Sequence, residues 1–198
     1  MKIKSIAALC KKVRHAVIMD SASADGSIGQ FIGDGNAAYI CDGLPTVEEE
    51  SLLAIFDVPQ EQRNTWHVKR SNVYDMLLTS NDMPLYESRV HITYGGKELI
   101  PLYTHTRRIV FIDAKYLAPL ADNPTMELYL RNANSTPVVA AKTGFIDLAI
   151  ISIYKAKDKA MAEELKRIAA YVQYTVSIAD DGSESGQCSI ELEQETED

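Results

Sequence analysis

Apolar residues recur along this chain with two periods, and the switches between them mark out its elements. Ile6, Leu9, Cys10, Val13, Ala16 and Val17 fall at i, i+3, i+4, i+7, i+10 and i+11 after Ser5, one face of an amphipathic helix. Strands are expected around Gly29 to Ile32 and Ala37 to Cys41, split by the turn Gly33-Asp34-Gly35-Asn36. Thr46 and Glu49 then have capping-box spacing ahead of Leu52, Leu53, Ile55 and Phe56, so a short helix is predicted there. Trp66 to Arg70 reads as a strand leading to Ser71, a candidate N-cap, with Val73, Tyr74, Met76 and Leu77 at helical spacing beyond it. Arg89 to Tyr94, a Gly95-Gly96 turn and Lys97 to Thr104 make a hairpin.

The second half is the most ordered in its pattern. A short β-rich run, Ile109 to Ile112, passes into a helix-like Asp113 to Asp122, kept short by Pro119. Met126 to Arg131 alternates Met, Leu, Leu against Glu, Tyr, Arg, the period of a half-buried strand. Thr136 to Lys142 and Phe145 to Tyr154 follow, joined at Lys142-Thr143-Gly144, where Gly144 can supply a positive φ. From Asp158 to Tyr174 the stripe Met161, Leu165, Ile168, Val172 predicts an amphipathic helix, with Glu163 and Arg167 spaced as an i, i+4 ion pair. Such a stripe docks on its own domain or meets a second subunit.

These runs describe an α+β chain of repeated helix plus antiparallel-hairpin units. The expected organisation is a domain over 1–156 with half-units at 1–58, 63–105 and 107–155, an added helix at 157–176, and a tail at 177–198. The order strand, helix, three antiparallel strands over Arg107 to Tyr154, closing in Pro137-Val-Val-Ala-Ala-Lys-Thr-Gly-Phe-Ile-Asp-Leu-Ala-Ile-Ile-Ser-Ile153, resembles the closing half-domain of bacterial DNA sliding clamps. In that family a hairpin of this kind closes the domain, and a helix of the Asp113 to Asp122 type lines the inner surface of a ring. The resemblance implies a non-enzymatic processivity factor in DNA replication or maintenance that contacts double-stranded DNA, binds replication proteins through short peptides, and works as a homo-oligomer. In size and style the chain also resembles proteins of phages and other mobile elements.

Charge changes this picture in one respect. Eight of the 28 acidic residues lie between Asp180 and Asp198, where there is no Lys or Arg, and the remaining 20 balance the 20 basic residues of the body. The tail therefore holds the whole net charge of −8, and its composition predicts disorder. It reads either as a solubilising end or as a decoy for polyanion-binding surfaces. Three cysteines without CxxC spacing fit a reduced, cytoplasmic protein, and no signal peptide or membrane span is expected.

Composition and motifs offer little catalysis. The four histidines lack metal-ligand spacing, there is no GxSxG, and Gly33-Asp34-Gly35 lacks the helix that would aim amides at a phosphate, so no cofactor is expected. A site assembled from distant Asp, His and Arg residues would leave no local trace. What remains is binding. Lys4, Lys11 and His15 lie opposite the apolar stripe of the first helix, with Lys12 and Arg14 on its flanks; by resemblance Lys4, Lys11, Lys12 and Arg14 would face a duplex. The later helices are poorer in base, with Lys69, Arg70, Arg107 and Arg108 preceding them and only Lys115 within. The alternative is an assembly subunit that never touches nucleic acid and oligomerises through the Asp158 to Tyr174 helix.

Overall fold

The computed structural model describes residues 2–22, 28–41, 43, 45–72, 82–88, 90–133 and 136–180. The fold is mixed α+β. Among the described residues three α-helices, α1 (Ile3–Val13), α2 (Glu49–Ile55) and α3 (Lys159–Asp180), accompany eleven strands. In chain order these are β1 (His15–Ala22), β2 (Ile28–Gly33), β3 (Ala37–Ile40), β4 (His67–Asn72), β5 (Met83–Glu87), β6 (Ile92–Tyr94), β7 (Lys97–Tyr103), β8 (Ile109–Asp113), β9 (Glu127–Ala133), β10 (Thr136–Thr143) and β11 (Ile146–Ser152). Short 3-10 helices span Gln60–Thr65 and Ala114–Leu120.

The strands form one path, β4-β1-β2-β3-β11-β10-β9-β5-β7-β6, with β8 beside β7. Among the described residues the pairings are antiparallel except β1 with β4, which run parallel with His15 opposite His67. A helix followed by three strands occurs twice, as α1-β1-β2-β3 and as Ala114–Leu120 with β9-β10-β11. The last strands of the two sets pair at the middle, Ala149 opposite Tyr39 and Ile151 opposite Ala37. The two helices meet as well: the Lys2 amide donates to the Pro119 carbonyl at 3.1 Å, and Lys2 Nζ lies 2.9 Å from Asp122. The segment expected as a middle unit is divided, with β4 at one end of the path and β5 to β7 at the other.

Period-two alternation builds the main core. Ile18, Ile32, Tyr39, Leu130, Val139 and Ile151 project from one sheet face against Ile6 and Cys10 of α1, Leu52 of α2 and Leu120. Each large aliphatic side chain fully withdrawn from water contributes about 1.5–3 kcal/mol. On the opposite face Val138, Ala140 and Ile150 make a smaller cluster. A third cluster joins Leu99 and Phe111 to Met161 and Leu165, which seats α3 on β7 and β8 as part of the domain.

Several local expectations are corrected. The first helix stops at Val13 rather than continuing through Val17: Arg14 turns into the left-handed region at φ 50 and its amide donates to the Cys10 carbonyl. Ala16 and Val17 belong to β1, where β-branched Val17 and Ile18 gain ladder partners on both sides. His15 consequently leaves the helix and stacks on His67, with ring centroids 5.2 Å apart. The capping box is Glu48 with Ser51, not Thr46 with Glu49; the Glu48 amide donates to Ser51 Oγ at 2.8 Å. Ser71 is a strand residue of β4, not an N-cap, and the helix expected at Val73 to Leu77 falls outside the described residues. Glu163 pairs with Lys166 at 2.8 Å rather than with Arg167. Helix α3 runs on to Asp180, taking four residues from the expected tail. Residues 181–198 of that tail, Cys188 among them, lie outside the described residues, and no helix among the described residues is long and apolar enough to cross a membrane.

Candidate nucleic-acid interface

The turn Gly33 to Asn36 fixes one wall of a cleft. Asp34, buried at 5% exposure, accepts from the Asn36 and Ala37 amides through Oδ1 and from the Tyr116 hydroxyl through Oδ2, at 2.9, 3.1 and 3.0 Å. Tyr39 reaches the same place and donates to the Tyr116 carbonyl at 2.8 Å. Burial and the nearby Asp34 carboxylate raise both phenols well above the ordinary tyrosine range, so they stay protonated and act as donors. The β2–β3 turn is thereby tied to the start of the Ala114–Leu120 helix.

Asp113 forms the floor. It caps that helix, accepting from the Lys115 amide at 3.3 Å, and its Oδ2 lies 3.8 Å from both Lys97 Nζ and Lys115 Nζ. The two ammonium groups also sit over aromatic faces, Lys97 over Tyr154 at 4.8 Å and Lys115 over Tyr116 at 4.5 Å. Such contacts hold cations without neutralising them. Tyr154 is itself fixed by its amide, which donates to the Phe111 carbonyl at 2.7 Å.

Two adjoining hollows, about 440 and 490 Å³, share Lys97, Asp113 and Lys115. Lys155 and Lys157, in the link from β11 to α3, line the first; Lys12, in the last turn of α1, lines the second. Five lysines from four stretches of chain thus face one cleft against three carboxylates, Asp34, Glu98 and Asp113. Among the described residues no carboxylate pairs with Lys12, Lys155 or Lys157. Asp34 and Asp113 are engaged as structural acceptors, so the arrangement offers ammonium donors to an anion rather than an acid and base to a reacting group.

The sequence-derived residues divide here. Lys12 and Lys115 come together in the cleft. Lys11 is exposed one residue away in the same turn, and Lys4 is exposed near the start of α1, about 12 Å along its axis from Lys12 at the usual helical rise. Arg14 is exposed, but its backbone does structural work, closing α1 and accepting the His67 amide at 3.0 Å. Lys97, Lys155 and Lys157 were not legible beforehand, because a hairpin strand and a linker bring them in from 18, 40 and 42 positions away from Lys115. The pair Lys155-Ala-Lys157 straight after an apolar strand is the only local hint. Among the described residues no group of three or more His, Cys, Asp or Glu is placed to hold a metal.

Beside the cleft, His91 lies between two carboxylates, Nδ1 at 2.9 Å from Glu98 and Nε2 at 3.2 Å from Glu87. The Glu98 contact first, then Glu87, raises its pKa above the ordinary value near 6.5. A raised folded-state value favours the fold below the unfolded-state pKa, and that contribution disappears as pH rises through the folded value. A proton-detected NMR titration is expected to place His91 above the ordinary histidine value, and Glu98→Gln to lower it; an unchanged value in that variant would refute the pairing.

No family model, curated protein or solved structure matches this chain.

Proposed function

We propose that the chain is a non-enzymatic accessory protein of DNA replication or maintenance, of sliding-clamp type, that holds duplex DNA without reading its sequence. The observation that carries this reading is the convergence of Lys12, Lys97, Lys115, Lys155 and Lys157 on one cleft. Ammonium groups with three donors each suit phosphate oxygens whose positions shift as a duplex slides. The pairing of α1 with the Ala114–Leu120 helix supports it further, since Lys4, Lys11, Lys12 and Lys115 all ride on that pair. Encirclement would need several copies of the chain, and partner peptides would be captured between units of the sheet.

Fluorescence anisotropy with a labelled duplex tests the reading. If the five lysines each displace a counterion, log affinity against log salt has a slope of about −4.5, a loss of several hundredfold between 50 and 200 mM. The triple change Lys12→Gln, Lys155→Gln, Lys157→Gln is expected to flatten that slope by about three. Absent or salt-insensitive binding would reject DNA as the ligand and favour an assembly subunit, for which Phe145, 94% exposed at the β10–β11 turn, is a ready contact.

A further inference from the structure

We propose that the acidic carboxyl-terminal segment 181–198 of this same chain occupies the lysine cleft and must be displaced before a nucleic-acid phosphate can enter. The inference rests on the cleft as a polyanion site, but not on DNA being its ligand.

Charge complementarity is the first argument. Residues 181–198 carry seven carboxylates, from Asp181 to Asp198, and no Lys or Arg. The cleft presents Lys12, Lys155 and Lys157 without carboxylate partners among the described residues, and Lys97 and Lys115 sharing the single Asp113. The body is otherwise close to balanced in charge, whereas the cleft sets five lysines against three carboxylates, Asp34, Glu98 and Asp113.

Reach is the second. Helix α3 begins at Lys159, two residues beyond the cleft residue Lys157, and its 22 residues carry the chain about 33 Å along the helix axis. Eighteen further residues span up to about 59 Å when extended, so the segment can return with slack. Gln173 Nε2 donates to the Arg107 carbonyl at 2.7 Å, and Val172 is fully buried, which holds α3 against the domain as far as Gln173. A tethered ligand of this length competes at an effective concentration in the millimolar range. That suffices to compete with weak non-specific phosphate binding while yielding to a long polyanion.

Two measurements on the full-length protein decide it. A maleimide–succinimidyl ester cross-linker is attached at Cys188; Cys10 and Cys41 are buried, their thiols pushed up to about 12, and react slowly at neutral pH. Mass spectrometry is expected to find links to Lys12, Lys97, Lys115, Lys155 or Lys157 within one chain at low salt, lost at 1 M salt and in Cys188→Ser. Links spread evenly over lysines such as Lys4, Lys142 and Lys166, or formed between isotopically distinct chains, would overturn the proposal. In the second, all seven carboxylates of 181–198 are changed to their amides. Duplex affinity is then expected to rise about tenfold at low salt, the gain vanishing at high salt; an unchanged affinity in a protein that does bind duplex would also overturn it. Cleft-specific links in a protein that binds no duplex would retire the DNA reading and leave the tail contact standing.

Discussion

Arg131→Ala is expected to lower the free energy of unfolding by about 3–5 kcal/mol in a urea titration, among the largest losses any single change of this chain would cause. Arg131 is completely buried on β9, on the sheet face opposite the main core. Its guanidinium reaches Asp82 at 2.6 Å and Asp147 at 2.9 and 3.1 Å, and Lys142 Nζ closes the group on Asp82 at 2.9 Å. Removing the cation leaves Asp147, 4% exposed, as a buried negative charge with its main partner gone. Isolating a charge in this way costs far more than the intact pair contributes.

That distinction makes the prediction sharp. The double change Arg131→Met with Asp147→Leu removes both members and replaces them with apolar groups, while Lys142 still balances Asp82. It is expected to recover most of the loss, giving strong coupling between the two positions in a double-mutant cycle. A single Arg131→Ala costing under about 1 kcal/mol, or additive effects, would show that water already reaches these groups.

Arg131 also shows what the sequence makes legible and what it hides. Its place on a half-buried strand follows from the alternation of Met126 to Arg131, and Leu128 and Leu130 do enter the main core. Its burial does not follow, because Asp82 and Asp147 arrive from 49 and 16 positions away and only the β5–β9 and β9–β10–β11 pairings bring them together. The same limit governs the cleft: helical spacing exposes Lys12 and a short run after a strand exposes Lys115, but strand order alone brings Lys97, Lys155 and Lys157 to them. Hairpins joined by glycine turns were readable because their determinants are local. The end of α1 was not, since the strand pairings of Ala16 and Val17 outweigh a helical period that continues through both.

Gly33→Ala is the second change expected to be severe, costing about 3 kcal/mol or more. A Cβ at Gly33 would lie 1.6 Å from the Ala37 carbonyl oxygen and 2.7 Å from Ala38 Cα, both backbone atoms of the neighbouring strand. They cannot yield easily. The Ala37 carbonyl accepts the Asp34 amide at 3.1 Å, the Ala37 amide donates to Asp34 Oδ1, and Ala37 lies opposite Ile151 of β11. Relief would need β2 and β3 to part at the turn that carries Asp34 and Asn36 into the cleft wall. Gly144→Ala is the control: its φ of 57 is unfavourable for alanine, but nothing lies within 4 Å, so a loss of about 1 kcal/mol is expected. The two variants also separate by function. Gly33→Ala displaces the acceptor that fixes Tyr116 beneath Lys115 and is expected to weaken duplex binding even under conditions where the protein remains folded, whereas Gly144→Ala leaves binding unchanged. Equal losses of stability and equal affinities in the two variants would remove the β2–β3 turn as the support of the lysine cleft.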